Sequence, residues 1–216
     1  MPVLADSKLR KRYNSLRLLG FDYSSTTTLY LITIATDSRR PVFGDIKLAK
    51  ACLAALLDPR TLARLTVRAY TLLPDHFHLL TGLRQEGSDL SSALGAFKSY
   101  TTQLYWKRSR EIVEADSVRL PVRSVAKDEG DKAPLLRALS EWRVALRPEA
   151  VALKQWASVK PQHFLSKQLW HGSFNDHVIR NEHDLRETVE YIAMNPVKRG
   201  YVTRPEYCPF TGFVFD

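Results

Sequence analysis

Hydrophobic and polar positions alternate along this chain in segments that predict its elements. Residues 29–36, LYLITIAT, form a β-branched apolar run without a breaker and predict a strand. Pro41 and Gly44 mark a turn. Asp45 stands at the N-cap of a helix from Ile46 to Leu57, with Ile46, Ala49, Leu53 and Leu56 at helical spacing. Residues 66–73 (TVRAYTLL) and 76–83 (HFHLLTGL) predict two more strands, and the short Pro74-Asp75 turn between them makes an antiparallel hairpin. A second helix opens at Ser88 or Asp89 and runs to about Lys107, with Leu90, Leu94, Phe97, Thr101 and Leu104 on its inner stripe.

The flanking stretches differ. Residues 1–28 carry Lys8, Arg10, Lys11, Arg12 and Arg17 and then turn Ser- and Thr-rich, which reads as a basic N-terminal arm. Residues 107–166 are charged and punctuated by Pro121, Pro134, Pro148 and Pro161. Leu135, Leu139, Trp142 and Leu146 share one face of a helix starting near Pro134, and Pro148 opens another that bears Val151, Leu153 and Trp156. Together these predict a helical insertion packed on the main domain. A last strand is expected between Trp170 and Val178. Asn181 then caps a helix with Glu182 and Asp184 near its positive end, and the helix ends near Asn195 because Pro196 restricts the residue before it. The order predicts an α+β domain over residues 29–216: a ferredoxin-like antiparallel sheet with helices on one face, plus the insertion.

Composition narrows the class. With 216 residues, 44% of them apolar and 25% charged, bulk disorder and fibrous repeats are excluded. The net charge of +9 and a pI near 9.6 point to an anionic partner, nucleic acid being the commonest. Cys52 and Cys208 stand at no metal-ligand spacing, which argues against a disulfide scaffold or zinc finger and fits a reducing compartment. No apolar run approaches the ~20 residues of a membrane span, and the start lacks a signal peptide. The expectation is a cytoplasmic, nucleoid-associated protein with no membrane partner.

Two segments carry candidate chemistry. His76 and His78 flank Phe77 on a predicted strand, so both imidazoles point to one face and Phe77 to the other. Such a pair can share a divalent metal; equally, it fits two strand histidines beside a turn. In the last helix Leu185, Val189 and Ile192 form the inner stripe, Tyr191 lies about a third of a turn away, and Asn195 follows Tyr191 by one turn on the same flank. A phosphoryl centre needs a cation to offset oxygen charge and a nucleophile. A phenol, about 0.1% ionised at neutral pH, serves if it is held close to a polarised phosphate. Its phosphodiester product keeps the bond energy, so a free 3′-hydroxyl can reseal the strand.

The stretch AYTLLPDHFHLL resembles the strand of single-tyrosine HUH transposases, with two histidines around a bulky apolar residue. The stretch LWHGSFNDHVIRNEHDLRETVEYIAMNPVKRGYV and the tail TRPEYCPF are similar to the tyrosine-helix region of their branch, the REP-associated tyrosine transposases. The likeness covers residues 29–106 and 167–212. It implies a ferredoxin-like fold and cleavage of single-stranded or hairpin DNA at palindromic REP-like elements with Mg²⁺ or Mn²⁺. By position, His76, His78 and Asn195 become metal ligands and Tyr191 the nucleophile, giving a 5′-phosphotyrosine and a free 3′-hydroxyl. The stretch before Trp170 looks longer than the family usually carries.

Further residues are candidates on their chemistry. Lys98, Tyr100, Lys107 and Arg108 mix cations and aromatics on the second helix, and Lys198 and Arg199 follow the tyrosine helix; all suit DNA contact. As ordinary surface charges they need no function. Glu187 and His177 are possible supports of the tyrosine or the metal, beside the plainer readings of a solvated charge and a turn residue. His163, His171 and His183 show no partner in the sequence. Two other classes remain open at this point: a non-catalytic binding protein for palindromic DNA or structured RNA, and a hydrolase using the histidine pair alone. A monomer or a homodimer, with the tyrosine helix acting in cis or in trans, is equally compatible.

Overall fold

The computed structural model describes residues 21–117, Trp156, Val159 and residues 167–214. The arm before Phe21, most of the 107–166 insertion with its two expected helices, and His163 lie outside the described residues.

Five strands form one antiparallel sheet: β1 (Tyr30–Ala35), β2 (Leu65–Leu72), β3 (His76–Leu83), β4 (Asn175–Val178) and β5 (Thr211–Phe213), in the order β4-β1-β3-β2-β5. The helices are α1 (Ile46–Leu56), a single turn α2 (Pro59–Leu62), α3 (Leu90–Ser117) and α4 (Glu182–Lys198). The α+β class with an antiparallel sheet is therefore the one the sequence pattern predicts. Among the described residues, no helix is long and apolar enough to cross a membrane.

Local chemistry accounts for the elements. Asp45 caps α1, its Oδ1 accepting from the backbone N–H groups of Lys47 and Leu48. Leu90, Leu94, Phe97 and Thr101 are buried along α3 as their spacing requires. The Thr101 hydroxyl there accepts from Trp170 Nε1 at 2.8 Å and donates to the Phe97 carbonyl, so the polar position on the stripe is satisfied. Helix α3 continues ten residues beyond the expected end at Lys107, to Ser117.

Side-chain alternation divides the sheet into two faces. Tyr30, Ile32 and Ile34 of β1 and Phe77, Leu79 and Leu83 of β3 enter the main core with α1 and α3. Leu80, Ala69 and Ile192 form a second cluster, edged by Leu31, Leu185, Val189 and Phe213. Helix α4 therefore packs on the opposite face, and the expectation of helices on one face holds for α1 and α3 only. The reason lies in β3, which is buried at all eight positions and so must be covered on both sides.

Three other details differ from the sequence pattern. Strand β4 begins at Asn175, while Trp170 makes an isolated bridge to Thr36, because His171–Phe174 leave the ladder. Strand β5, three residues around Gly212, is too short to show a period. Helix α4 runs through Pro196 to Lys198: proline's fixed φ suits a helix, and its missing N–H leaves one carbonyl, that of Ile192, without its usual donor. In β2 an extra residue, Arg68, bulges between Val67 and Ala69, so Val67 faces the main core and Ala69 faces α4. Trp156, from the insertion, donates Nε1–H to the Phe43 carbonyl and packs against Phe210 and Tyr201.

Ile192 is wholly buried and joins α4 to the sheet. Ile192→Ala should lower unfolding free energy by about 2–4 kcal/mol, the range for a truncated core aliphatic, read as a fall in urea midpoint at unchanged m-value.

Candidate functional site

The register of the sheet places a line of polar side chains on the α4 face. Asn175, Thr33, His78, Thr71 and Thr211 are successive cross-strand neighbours through all five strands. His76 lies one step along β3, opposite Ala35. The two imidazoles meet edge-on with ring centroids 4.7 Å apart, and both are buried, at 2% and 3% exposure.

Each histidine is fixed through Nδ1. His76 Nδ1 lies 2.6 Å from Asp75 Oδ1, and a carboxylate only accepts, so Nδ1 carries a proton and donates it there. His78 Nδ1 lies 2.8 Å from Thr33 Oγ1. Its Nε2 faces Asn195 Nδ2 at 3.1 Å and the Tyr191 hydroxyl at 3.3 Å. The amide nitrogen only donates, so His78 Nε2 accepts and Nδ1–H donates to Thr33. Helix α4 delivers both contacts because Tyr191 and Asn195 are one turn apart. The Tyr191 ring meets His78 edge-on at 5.1 Å and is 38% exposed, so the phenol stands between the buried imidazole and solvent.

The electrostatics keep His78 neutral. Burial, first, and the positive fields of His76, Arg199 and Arg39 push its pKa down to about 3, against the opposing effect of Asp75. Burial pushes the Asp75 carboxyl up, but the His76 hydrogen bond and charge, with Arg39 beyond, hold it below the usual carboxylate value.

The residues present fit a divalent cation. Among the described residues no three His, Cys, Asp or Glu side chains are grouped for a metal, so a third protein donor has to come from another residue type. Asn195 Oδ1 is a buried oxygen with no hydrogen-bond partner among the described residues. A half-turn of the amide exchanges it with Nδ2 beside His78. Two imidazole nitrogens and an amide oxygen form a donor set that leaves positions for water and phosphate oxygens.

The other sequence candidates are placed elsewhere. Lys98, Tyr100, Lys107 and Arg108 lie on α3, across the sheet from Tyr191. Lys98 Nζ donates to the carbonyls of His171 and Gly172, and Arg108 Nε donates to Asp45 Oδ2, tying α3 to the start of α1. Tyr100 sits beneath the Arg60 guanidinium at 5.0 Å, and Lys107 is exposed. Lys198 and Arg199 are exposed at the end of α4. His177 Nε2–H donates to Asp184 Oδ1, and Asp184 also accepts from Arg180 N–H, so His177 braces the entry to α4. Glu187 pairs with His183 at 3.5 Å on the exposed side of α4.

Thr33, Asp75 and Arg39 were not singled out from sequence. Thr33 had a signal: it interrupts the apolar face that Leu31 and Ala35 continue. Asp75 had only its adjacency to His76.

No family model matches the chain. Over 65 residues, 29% of its length, it is 39% identical to the REP-associated tyrosine transposase of Escherichia coli K12, covering 39% of that protein. Over 55 residues it is 36% identical to a Haemophilus influenzae protein named as a REP-associated tyrosine transposase, covering 31% of it. The match thus spans well under half of either relative. The fold is similar to that of a REP-associated tyrosine transposase solved bound to a REP hairpin, with a TM-score of 0.50 and 20% identity over 88% of this chain and 79% of that one. Homology to REP-associated tyrosine transposases is thereby established for part of the sequence, and the fold is shared.

The depressed pKa of His78 has a sign. The unfolded imidazole binds a proton near pH 6.5, while the folded one resists until about pH 3. Stability is therefore complete above about pH 6.5 and falls as pH drops from there toward 3. Urea midpoints at pH 7.5 and 4.5 should differ, and the difference should shrink in His78→Gln.

Proposed function

We propose that the chain is a metal-dependent DNA nicking and joining enzyme, a tyrosine transposase acting on single-stranded or hairpin DNA at palindromic REP-like elements. The observation that supports this most is the convergence of the Tyr191 hydroxyl and the Asn195 amide on His78 Nε2, within 3.3 Å, beside His76. Residues 29–216 are read as one catalytic domain bearing the insertion, with residues 1–28 as a basic arm. Tyr191 meets His78 of its own chain, which supports a site assembled within one protomer.

In this reading His76, His78 and Asn195 hold Mg²⁺ or Mn²⁺. When bound, the cation supplies charge neutralisation at the non-bridging oxygens of the scissile phosphate. Tyr191 Oη attacks phosphorus and releases its proton to solvent; the new bond is a 5′-phosphotyrosine, the bond that breaks is P–O3′, and the 3′-oxygen takes up one proton from solvent and leaves as a hydroxyl, so the proton count is unchanged. Reversal by a 3′-hydroxyl restores the phosphodiester and frees the phenol. Asp75 and Thr33 hold the imidazole rings so that both Nε2 atoms face the site, and the neutral state of His78 keeps its lone pair available at physiological pH. Lys198 and Arg199, at the end of the tyrosine helix, are the sequence candidates best placed for DNA phosphates.

Tyr191→Phe should abolish both cleavage and the protein–DNA adduct on labelled hairpins with Mg²⁺ or Mn²⁺, while hairpin affinity stays within about twofold, since a single uncharged hydroxyl is removed. Normal nicking by that variant would sink the assignment; tight binding by the unaltered protein without cleavage of any hairpin would mark a binding module. Asp75→Ala should weaken Mn²⁺ binding, measured by calorimetry on the DNA-free protein, by about 10–100-fold, the range for a lost partner of a ligating histidine.

A further inference from the structure

Arg40, the neighbour of Arg39 in sequence, donates to the Asp37 and Gln168 carbonyls and the Tyr105 hydroxyl. Arg39 is different. Its contact among the described residues is an ion pair with Asp75 at 3.7 Å, too long for a hydrogen bond, and 55% of its side chain is exposed. Its fork of five N–H donors faces outward, one carboxylate away from His76.

The backbone that presents Arg39 is strained. Ser38 and Arg39 have φ of 55° and 54°, consecutive left-handed residues of which neither is glycine. Such a turn persists only where its surroundings over-determine it. Here the nearly buried Arg40 anchors one side through the bonds above, and the Thr36 hydroxyl donates toward the carbonyls of Arg40 and Asp75. Thr36 N–H also donates to the Asp75 carbonyl at 2.9 Å, which clamps the turn to the start of β3. All this fixes Arg39 beside Asp75, the partner of His76, although among the described residues its guanidinium makes no hydrogen bond.

We propose that Arg39 is a phosphate-binding residue of the site, gripping a backbone phosphate of single-stranded nucleic acid beside His76 while Arg199 approaches the same strand from the α4 side. The identity of the ligand rests on the nicking reading above. Arginine suits the role because its planar fork matches two phosphate oxygens at once.

The experiment uses the full chain in a Tyr191→Phe background, so that no chemistry intervenes, with a labelled oligonucleotide carrying a hairpin and a single-stranded flank. The slope of log affinity against log salt should fall by about 0.7 in Arg39→Gln, one released counterion for a single-strand phosphate. Arg39→Lys should keep the slope, because it keeps the charge. Arg39→Gly should show the same reduced slope with a melting temperature no lower than the parent's, because it also relieves the left-handed φ. An unchanged slope in Arg39→Gln, or a lowered melting temperature with an unchanged slope in Arg39→Gly, would overturn the proposal. The two readings fail separately. If the Tyr191 protein forms no adduct but the slope falls, the nicking reading is lost and Arg39 stands. If the adduct forms and the slope does not move, Arg39 is lost and nicking stands.

Discussion

In β3 the side chains of Phe77 and Leu79 enter the core under α1 and α3 while those of His76, His78 and Leu80 rise on the other face, with backbone pairing to β1 and β2 on either flank. Phe77 is wholly buried and meets Phe97 of α3 at 5.9 Å. A slip of one residue would exchange the two sets, putting imidazoles in the core and a phenyl ring in the site. The hydrophobic term that seats Phe77 and Leu79 thereby also aims the histidines, and no separate device is required for their direction. Everything that reaches them, Thr33 from β1, Asp75 from the hairpin turn and Tyr191 and Asn195 from α4, is placed relative to that one strand.

The face that carries the site is polar in its middle and apolar next to it. Thr33, His78, Thr71 and Thr211 answer one another across the sheet, with the hydroxyls of Thr71 and Thr211 2.6 Å apart. One register step away Leu31, Leu80, Ala69 and Phe213 receive Ile192 and Val189. Helix α4 is thus held by its apolar stripe while Tyr191 and Asn195, on the adjoining flank of the same turns, meet His78 of the polar level. Buried polar groups are costly unless paired, and on this face the pairing is nearly complete; among the described residues Asn195 Oδ1 is the departure.

Much of this was legible in the sequence for definite reasons. Alternation around Phe77 gave the shared face of the histidines, and helical spacing put Tyr191 and Asn195 on one flank of α4. The side of the sheet that α4 takes was misjudged, although HFHLLTGL, with apolar residues at both parities, already called for cover on both faces. Arg108 and Lys98 looked like free cations because their partners, Asp45 and two carbonyls of the 171–172 turn, lie more than sixty residues away in sequence. Asp75 and Thr33 support the imidazoles through contacts that only strand register and the hairpin turn define. Strand β5 escaped notice because three residues around a glycine carry no periodic signal.

The bulge at Arg68 has a consequence for how such a chain can vary in length. Loss or gain of a residue elsewhere in β2 rotates every side chain beyond it to the wrong face, setting Thr71 against the core and Tyr70 against α4. Removing Arg68 itself does not, because Val67 and Ala69 already lie on opposite faces and would simply become neighbours. The bond from Val214 N–H to the Arg68 carbonyl would be forfeited. The strand thus contains one place where descent can shorten it without reversing its sidedness, and divergent relatives of this sheet are free to differ in strand length at that point while keeping the histidine face intact.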